Sequence, residues 1–99
     1  MLTIDLASEN MIVAKRIVMQ GRDGLSLYLS KKIVEAVYRF KSEVKLISLE
    51  STADAKDIFG ILGLALAAGE PLIIKTEGED AQSAFNAVWA ILKQTEQEK

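Results

Sequence analysis

Residues 23–40 read DGLSLYLSKKIVEAVYRF, a segment that combines a helix start with one continuous apolar stripe. Ser26 suits the N-cap, because its hydroxyl can accept a hydrogen bond from a free N–H of the first helical turn. Apolar residues then recur at spacings of three and four, at Leu25, Leu29, Ile33, Val37 and Phe40. The segment therefore predicts an amphipathic helix over residues 27–40.

Strand patterns lie on both sides of this helix. Residues 11–19 are rich in β-branched side chains and are followed by turn residues at 20–24, which predicts a first strand. Val44, Leu46 and Leu49 predict a second strand, with a short third strand over residues 52–55.

The second half of the chain repeats the alternation of helix and strand. Asp57 suits the N-cap of a short helix, although Gly60 and Gly63 each weaken that helix by about 1 kcal/mol relative to Ala. Pro71 introduces a strand over residues 72–77, at a position that need not donate a backbone hydrogen bond. A last helix over residues 81–92 is predicted, with Asp80 as its cap and Trp89 in the core.

The predicted order of elements is βαββαβα. Helices on one face of a four-stranded antiparallel sheet make an α+β fold, the open-faced β-sandwich. We expect one such domain over residues 11–94 and a charged tail over residues 95–99. Residues 1–10 form an N-terminal extension, for which a loose segment and an added edge strand both stay open.

Composition excludes several classes of function. Twelve basic and fourteen acidic residues give a net charge of −2, which supplies no positive field for nucleic acid or anionic lipid. The chain has no cysteine and no histidine, so we expect no disulfide, no transition-metal site and no cofactor. Its apolar runs are shorter than the roughly 20 residues of a membrane span, and its start lacks a signal-peptide pattern. We therefore expect a cytoplasmic protein without membrane contact.

Four short motifs fall in one register along the chain. They are Gly24-Leu25, Ala55-Lys56-x-Ile58-x-Gly60 with Leu64, Gly69-Glu70, and Gly78-Glu79-Asp80-x-Gln82. In these motifs the chain resembles the HPr family, the histidine-containing phosphocarriers of the bacterial sugar phosphotransferase system. The resemblance covers about residues 11–94 and implies the phosphocarrier fold.

The resemblance places the family's active-site motif, Gly-Leu-His-x-Arg-Pro, on residues 24–29. Ser26 then stands at the histidine position, Tyr28 at the arginine position and Leu29 at the proline position. A serine ester does not replace the reactive phosphoramidate of an imidazole, and Tyr28 lacks the charged fork that steadies a phosphoryl group. We therefore expect no catalytic residue and no enzymatic activity, in this respect similar to Crh, a family member that also lacks the histidine.

The resemblance also places Asp57 where many members carry a regulatory serine that a kinase phosphorylates. In one interpretation its carboxylate imitates phosphoserine and holds the domain in a partner-binding state. In the other it is an N-cap worth about 1 kcal/mol over Ala, with one charge where phosphoserine carries about −1.5 to −2. The two interpretations are compatible.

In the family, the face of the second helix forms a hydrophobic docking patch beside the active site. The candidate partner-binding residues are Ser26, Leu27, Tyr28, Asp57, Ile58, Phe59 and Leu62. Leu29, Ile58 and Leu62 are equally compatible with the core. An apolar patch of this kind marks an interaction surface.

The leading hypothesis is a non-enzymatic regulatory protein that binds a protein partner in carbon catabolite control or phosphotransferase regulation. A transcriptional regulator and a metabolic enzyme are the candidate partners. Two alternatives stay open: a phosphotransferase component phosphorylated on Ser26, and a structural homo-oligomer.

Overall fold

The computed structural model describes residues 11–20 and 23–94, which form one four-stranded sheet and three helices. The strands are β1 (Ile12–Val18), β2 (Glu43–Ile47), β3 (Thr52–Asp54) and β4 (Pro71–Glu77). The helices are α1 (Leu27–Val37), α2 (Ile58–Gly63) and α3 (Ala81–Gln94). The predicted α+β order, βαββαβα, is confirmed.

The sheet is antiparallel throughout, with the strand order β1-β4-β2-β3. β4 lies in the interior, where Leu72 pairs with Ile17 of β1 and Ile74 pairs with Leu46 of β2. The strand that comes last in the chain therefore joins the first strand to the rest of the sheet.

The sheet has one covered face and one open face. Along β4, Leu72, Ile74 and Thr76 are fully buried, whereas Ile73 between them is 39% exposed. This alternation follows from the two-residue period of a strand, because α3 packs against β1, β2 and β4 on one side of the sheet. Buried side chains of α1 belong to the same core. The largest fully buried core side chains include Met19, Ile33, Leu46, Ile61, Leu72, Ile74 and Leu92.

Trp89 of α3 lies at the edge of this core. It is half-buried, packs against the core, and stacks on Phe85 with the ring centroids 5.5 Å apart. The ammonium of Lys15 lies 4.9 Å from the centroid of the Trp89 ring, which joins α3 to β1. Trp89 is thus part of the packing between α3 and the sheet, as predicted.

Two predicted boundaries are wrong. β2 ends at Ile47, and Leu49 is 86% exposed instead of continuing the strand. The cause is Ser48, whose hydroxyl accepts hydrogen bonds from the backbone N–H groups of Glu50 and Ser51 and so builds a turn. α1 ends at Val37 because the N–H of Phe40 bonds to the Val37 carbonyl three residues back, which tightens and closes the helix.

The predicted N-terminal extension, residues 1–10, and the predicted charged tail, residues 95–99, lie outside the described residues. Within the described part, no helix combines the length and apolar character needed to span a membrane.

Candidate functional site

Ser26 begins α1 and acts as its N-cap, as predicted. Its backbone is extended, and its Oγ accepts a hydrogen bond of 3.2 Å from the backbone N–H of Leu29. Its carbonyl oxygen accepts from the backbone N–H of Ser30 at 2.9 Å and from the Ser30 hydroxyl at 2.8 Å. Ser26 is therefore tied into the first turn of the helix.

The loop before Ser26 is held against the segment that follows α2. The N–H of Leu25 donates to the carbonyl of Leu66 at 3.0 Å. Gly24 has a φ of +58°, and a Cβ built on it would lie 2.2 Å from the Leu66 oxygen. Glycine is required here both by the left-handed backbone and by the close approach of the two loops.

The next two residues of α1 point into solvent. Leu27 is 63% exposed and Tyr28 is 65% exposed, whereas Leu29 is buried in the core. The Nζ of Lys32, one turn further on, lies 3.4 Å from the Tyr28 hydroxyl and 5.2 Å from the centroid of its ring. α1 thus presents two apolar side chains at its N-terminal end, with a cation beside the tyrosine.

α2 contributes the second group of predicted residues. Asp57 caps this helix, as predicted, because its Oδ1 accepts from the N–H of Phe59 at 3.1 Å. Phe59 is 81% exposed, while Ile58 and Leu62 are half-buried. Ile61 is fully buried and anchors the helix in the core.

The two groups lie on helices that pack against each other. We use the term α1–α2 face for the seven predicted residues: Ser26, Leu27, Tyr28, Asp57, Ile58, Phe59 and Leu62. Three of them are strongly exposed apolar side chains, two are half-buried apolar side chains, and two are helix caps. Leu29, which was also compatible with the core, belongs to the core.

The α1–α2 face lies apart from a cleft at the C-terminal end of α2. A cleft of about 290 Å³ lies at the other end of α2, between residues 48–51, residues 63–66 and the start of β4. None of the seven residues of the face contributes to its walls. In the described part of the chain, no group of three acidic side chains is arranged to hold a metal ion. The α1–α2 face is therefore an exposed, largely apolar surface outside this cleft.

The prediction that the Asp80 side chain caps α3 is wrong. Its Oδ2 accepts from the N–H of Lys41 at 2.9 Å, and its Oδ1 accepts from the N–H and the hydroxyl of Ser42. These hydrogen bonds, with that from the Ser42 hydroxyl as the largest cause, lower the pKa of Asp80 to about 2. Asp80 is therefore a structural link between α3 and the start of β2.

Like Asp80, Lys56 makes a long-range contact that the sequence did not predict. Its Nζ donates to the carbonyl of Phe40 at 2.7 Å, across 16 residues. The only local signal was its place beside Asp57, in one of the segments that resemble the HPr family.

Comparison with known proteins identifies similar sequences and similar folds. The family model for the HPr component of the phosphotransferase system, described as its phosphorylation site, matches residues 13–94. The chain is similar to the HPr-like protein Crh of Halalkalibacterium halodurans, with 29% identity over 82 residues that cover 83% of this chain and 98% of that protein.

Two solved structures share the architecture. The phosphocarrier protein HPr of Bacillus anthracis superposes with a TM-score of 0.77 at 32% identity, over 84% of this chain and 99% of that one. Crh of Bacillus subtilis, whose structure is described as a dimer with a swapped domain, superposes with a TM-score of 0.67 at 26% identity, over 84% of this chain and 95% of that one. The matched residues span almost all of the described fold. The chain belongs to the HPr family, the phosphocarrier proteins of the bacterial sugar phosphotransferase system.

Proposed function

We propose that this chain is a regulatory member of the HPr family that docks on a protein partner through the α1–α2 face and does not carry phosphate. The observation that carries the proposal is the exposure of Leu27, Tyr28 and Phe59, at 63%, 65% and 81%, around a serine at the histidine position. The protein acts in the cytoplasm as a binding protein and not as an enzyme.

The chemistry of the site supports a role without phosphoryl transfer. The chain contains no histidine, so it has no imidazole nitrogen for a phosphoramidate. The Ser26 oxygen serves as a helix cap, and a serine phosphoester does not discharge as a phosphoramidate does. Two positions after Ser26, where the family motif has an arginine, this chain has Tyr28. The tyrosine side chain is large and mostly apolar, and it lacks the charged fork of a guanidinium group.

The exposed side chains are of the kind that contribute to association. Burying one large apolar side chain is worth roughly 1.5–3 kcal/mol, so three of them offset a substantial part of the entropic cost of binding. Aromatic residues are enriched among the side chains that dominate interface energies, and two of the three are aromatic. A partner that covers Leu27, Tyr28 and Phe59 together therefore gains affinity from a small area.

The partner class that we propose is a transcriptional regulator or a metabolic enzyme of carbon catabolite control. Asp57 supplies a fixed carboxylate at the position of the family's regulatory serine, with its charge at the start of α2. In this proposal the Asp57 carboxylate takes the place of a phosphorylated serine, so the α1–α2 face can bind its partner without the action of a kinase. Asp57 also caps α2.

The test compares three immobilised proteins as baits in lysate of the source organism. They are the wild type, the double variant Asp57→Lys and Tyr28→Arg, and a control that carries Glu43→Lys and Ile73→Arg on the open face of the sheet. Mass spectrometry identifies the retained proteins, and circular dichroism verifies that each bait is folded. We expect one partner to be retained by the wild type and the control and lost by the double variant. Equal retention by all three baits would refute docking through this face.

Self-association through β1 is a second candidate function. Among the strands that the structure describes, β1 lies at the edge of the sheet. Its Ile12 and Val18 are 54% and 37% exposed, and Met11 before it is 40% exposed. A long apolar edge is a template for pairing with another chain, although Lys15 and Arg16 at its centre oppose such pairing. Light scattering over a range of concentrations distinguishes the two functions, because a mass that stays that of one chain excludes the homo-oligomer.

A further inference from the structure

The contact between Lys56 and Phe40 joins the end of α1 to the turn that begins α2. The Lys56 Nζ donates to the Phe40 carbonyl at 2.7 Å in a partly buried position. Phe40 lies three residues beyond the end of α1 and packs against the core. A lysine ammonium at this position also meets the negative end of the α1 dipole.

The turn itself is fixed to the sheet by its backbone. The N–H of Ala55 bonds to the Val44 carbonyl of β2 at 2.8 Å, and Ala55 is fully buried. Within the turn, the N–H of Lys56 bonds to Asp54 Oδ1 and the N–H of Asp57 bonds to the Asp54 carbonyl, both at 2.9 Å. These bonds set the turn relative to β2 and β3, and the Lys56 side chain sets it relative to α1.

α2 depends on such anchors because it is intrinsically weak. It has six residues, two of which are glycines, and helices of that length are not stable by themselves. Its position follows from the Asp57 cap at its start, from the burial of Ile61 and from the turn that precedes it. A change in the angle of that turn therefore moves Phe59 relative to α1.

We propose that Lys56 is a positioning residue for the α1–α2 face. By binding the carbonyl at the end of α1, it holds α2 at one separation from α1 and keeps Phe59 in register with Leu27 and Tyr28. A partner then meets a preorganised surface and does not have to order α2 on binding. The functional part of this inference rests on the proposed docking function, whereas the positioning itself is a property of the free protein.

The experiment measures the separation of the two helices directly. The chain has no cysteine, so Leu27→Cys and Phe59→Cys introduce two unique sites for nitroxide labels. Pulsed electron resonance gives the label-to-label distance distribution in this background and after Lys56→Met, Lys56→Gln or Lys56→Arg. Lys45→Met, on the open face of the sheet, is the control for loss of one lysine charge.

We expect the Met and Gln variants to broaden the distance distribution, and the Arg variant and the Lys45 control to leave it unchanged. Amide exchange of α2, followed at Ile61 in chains without labels, should be about tenfold faster in the Met and Gln variants, because a hydrogen bond from a charged group is lost. The Lys56→Arg variant distinguishes two roles of Lys56, the hydrogen bond to Phe40 and the packing of its side chain. Arginine restores the hydrogen-bond donor but not the shape of lysine, so an unchanged distance distribution in this variant supports the hydrogen bond. Unchanged distances in both the Met and the Gln variant would overturn the proposal, whatever the rate of exchange.

The two proposals fail separately. If the Lys56→Met and Lys56→Gln variants broaden the distances but no partner distinguishes the three baits, Lys56 positions α2 and the docking function is wrong. If the baits reveal a partner while the distances do not change, docking stands and Lys56 has no positioning role. If both hold, the purified partner should bind the Lys56→Met variant more weakly than the Lys56→Arg variant.

Discussion

The carboxylate of Asp80 holds Ser42 at the start of β2. Its Oδ1 accepts the Ser42 backbone N–H at 2.9 Å and the Ser42 hydroxyl at 2.5 Å, across 38 residues of sequence. Ser42 is 1% exposed, and a Cβ on Gly78 would lie 2.5 Å from its hydroxyl oxygen. This contact fastens the start of α3 to the central part of the sheet.

The Asp80 contact makes the protein sensitive to acid. Its pKa is lowered from 3.8 to about 2, so folding favours the ionised carboxylate. The resulting stability is fully present above the ordinary pKa near 4 and is lost as the pH falls through about 2. We expect Asp80→Asn to lower the free energy of unfolding at pH 7 and to reduce its dependence on pH between 4 and 2, as measured by urea denaturation.

Glu79 provides the control for this experiment. Its carboxylate lies 3.5 Å from the Lys41 ammonium, but both side chains are exposed, at 62% and 82%. We expect Glu79→Gln to change the free energy of unfolding by less than about 1 kcal/mol. An Asp80→Asn variant that keeps the pH profile of the wild type would contradict the role assigned to Asp80.

Gly24 and Gly63 should respond to alanine in opposite directions. At Gly24 the positive φ and the approach to Leu66 leave no space for a Cβ, whereas nothing lies within 4 Å of a Cβ on Gly63. We expect Gly24→Ala to lower the free energy of unfolding by about 3 kcal/mol, and Gly63→Ala to raise it by about 0.5–1 kcal/mol through helix propensity. Denaturant unfolding of the two variants checks this, and a Gly24→Ala variant as stable as the wild type would show that the loop contact at Leu66 is not tight.

Two roles of the Asp57 side chain, helix capping and its negative charge, can be measured separately. Asn caps a helix about as well as Asp, so Asp57→Asn should retain the free energy of unfolding, whereas Asp57→Ala should lower it by about 1 kcal/mol. If the carboxylate imitates phosphoserine, Asp57→Asn binds the partner more weakly than the wild type in a calorimetric titration. Equal affinity would leave capping as the whole role of Asp57.

Ser26 should be needed for stability and not for phosphoryl transfer. Ser26→Ala removes the oxygen that accepts the Leu29 N–H, and we expect a loss of about 1 kcal/mol in thermal or chemical unfolding. Incubation of the wild type with phosphoenolpyruvate and the general phosphotransferase enzymes should add no stable phosphoryl group. Intact-mass spectrometry measures this, and a label on Ser26 would favour the phosphotransferase alternative over a purely binding role.

The local elements of this fold could be predicted because their causes lie within a few residues. The N-caps Ser26 and Asp57 bond to N–H groups two or three positions ahead, and the apolar stripe of α1 repeats every three or four residues. Pro71 begins β4, where a missing N–H is tolerated. Local hydrogen bonding and periodicity therefore determined the order of elements and the start of each helix that carries the α1–α2 face.

The arrangement of those elements depended on contacts between distant residues. The place of β4 between β1 and β2, the bond from Ser42 to Asp80 and the bond from Lys56 to Phe40 join residues at least 16 positions apart. No local pattern distinguished Leu27, which is exposed, from Ile58, which is half-buried, since both are apolar residues in the first turn of a helix. Their exposure was decided by the tertiary structure, because whether a side chain is buried depends on the element that packs over it.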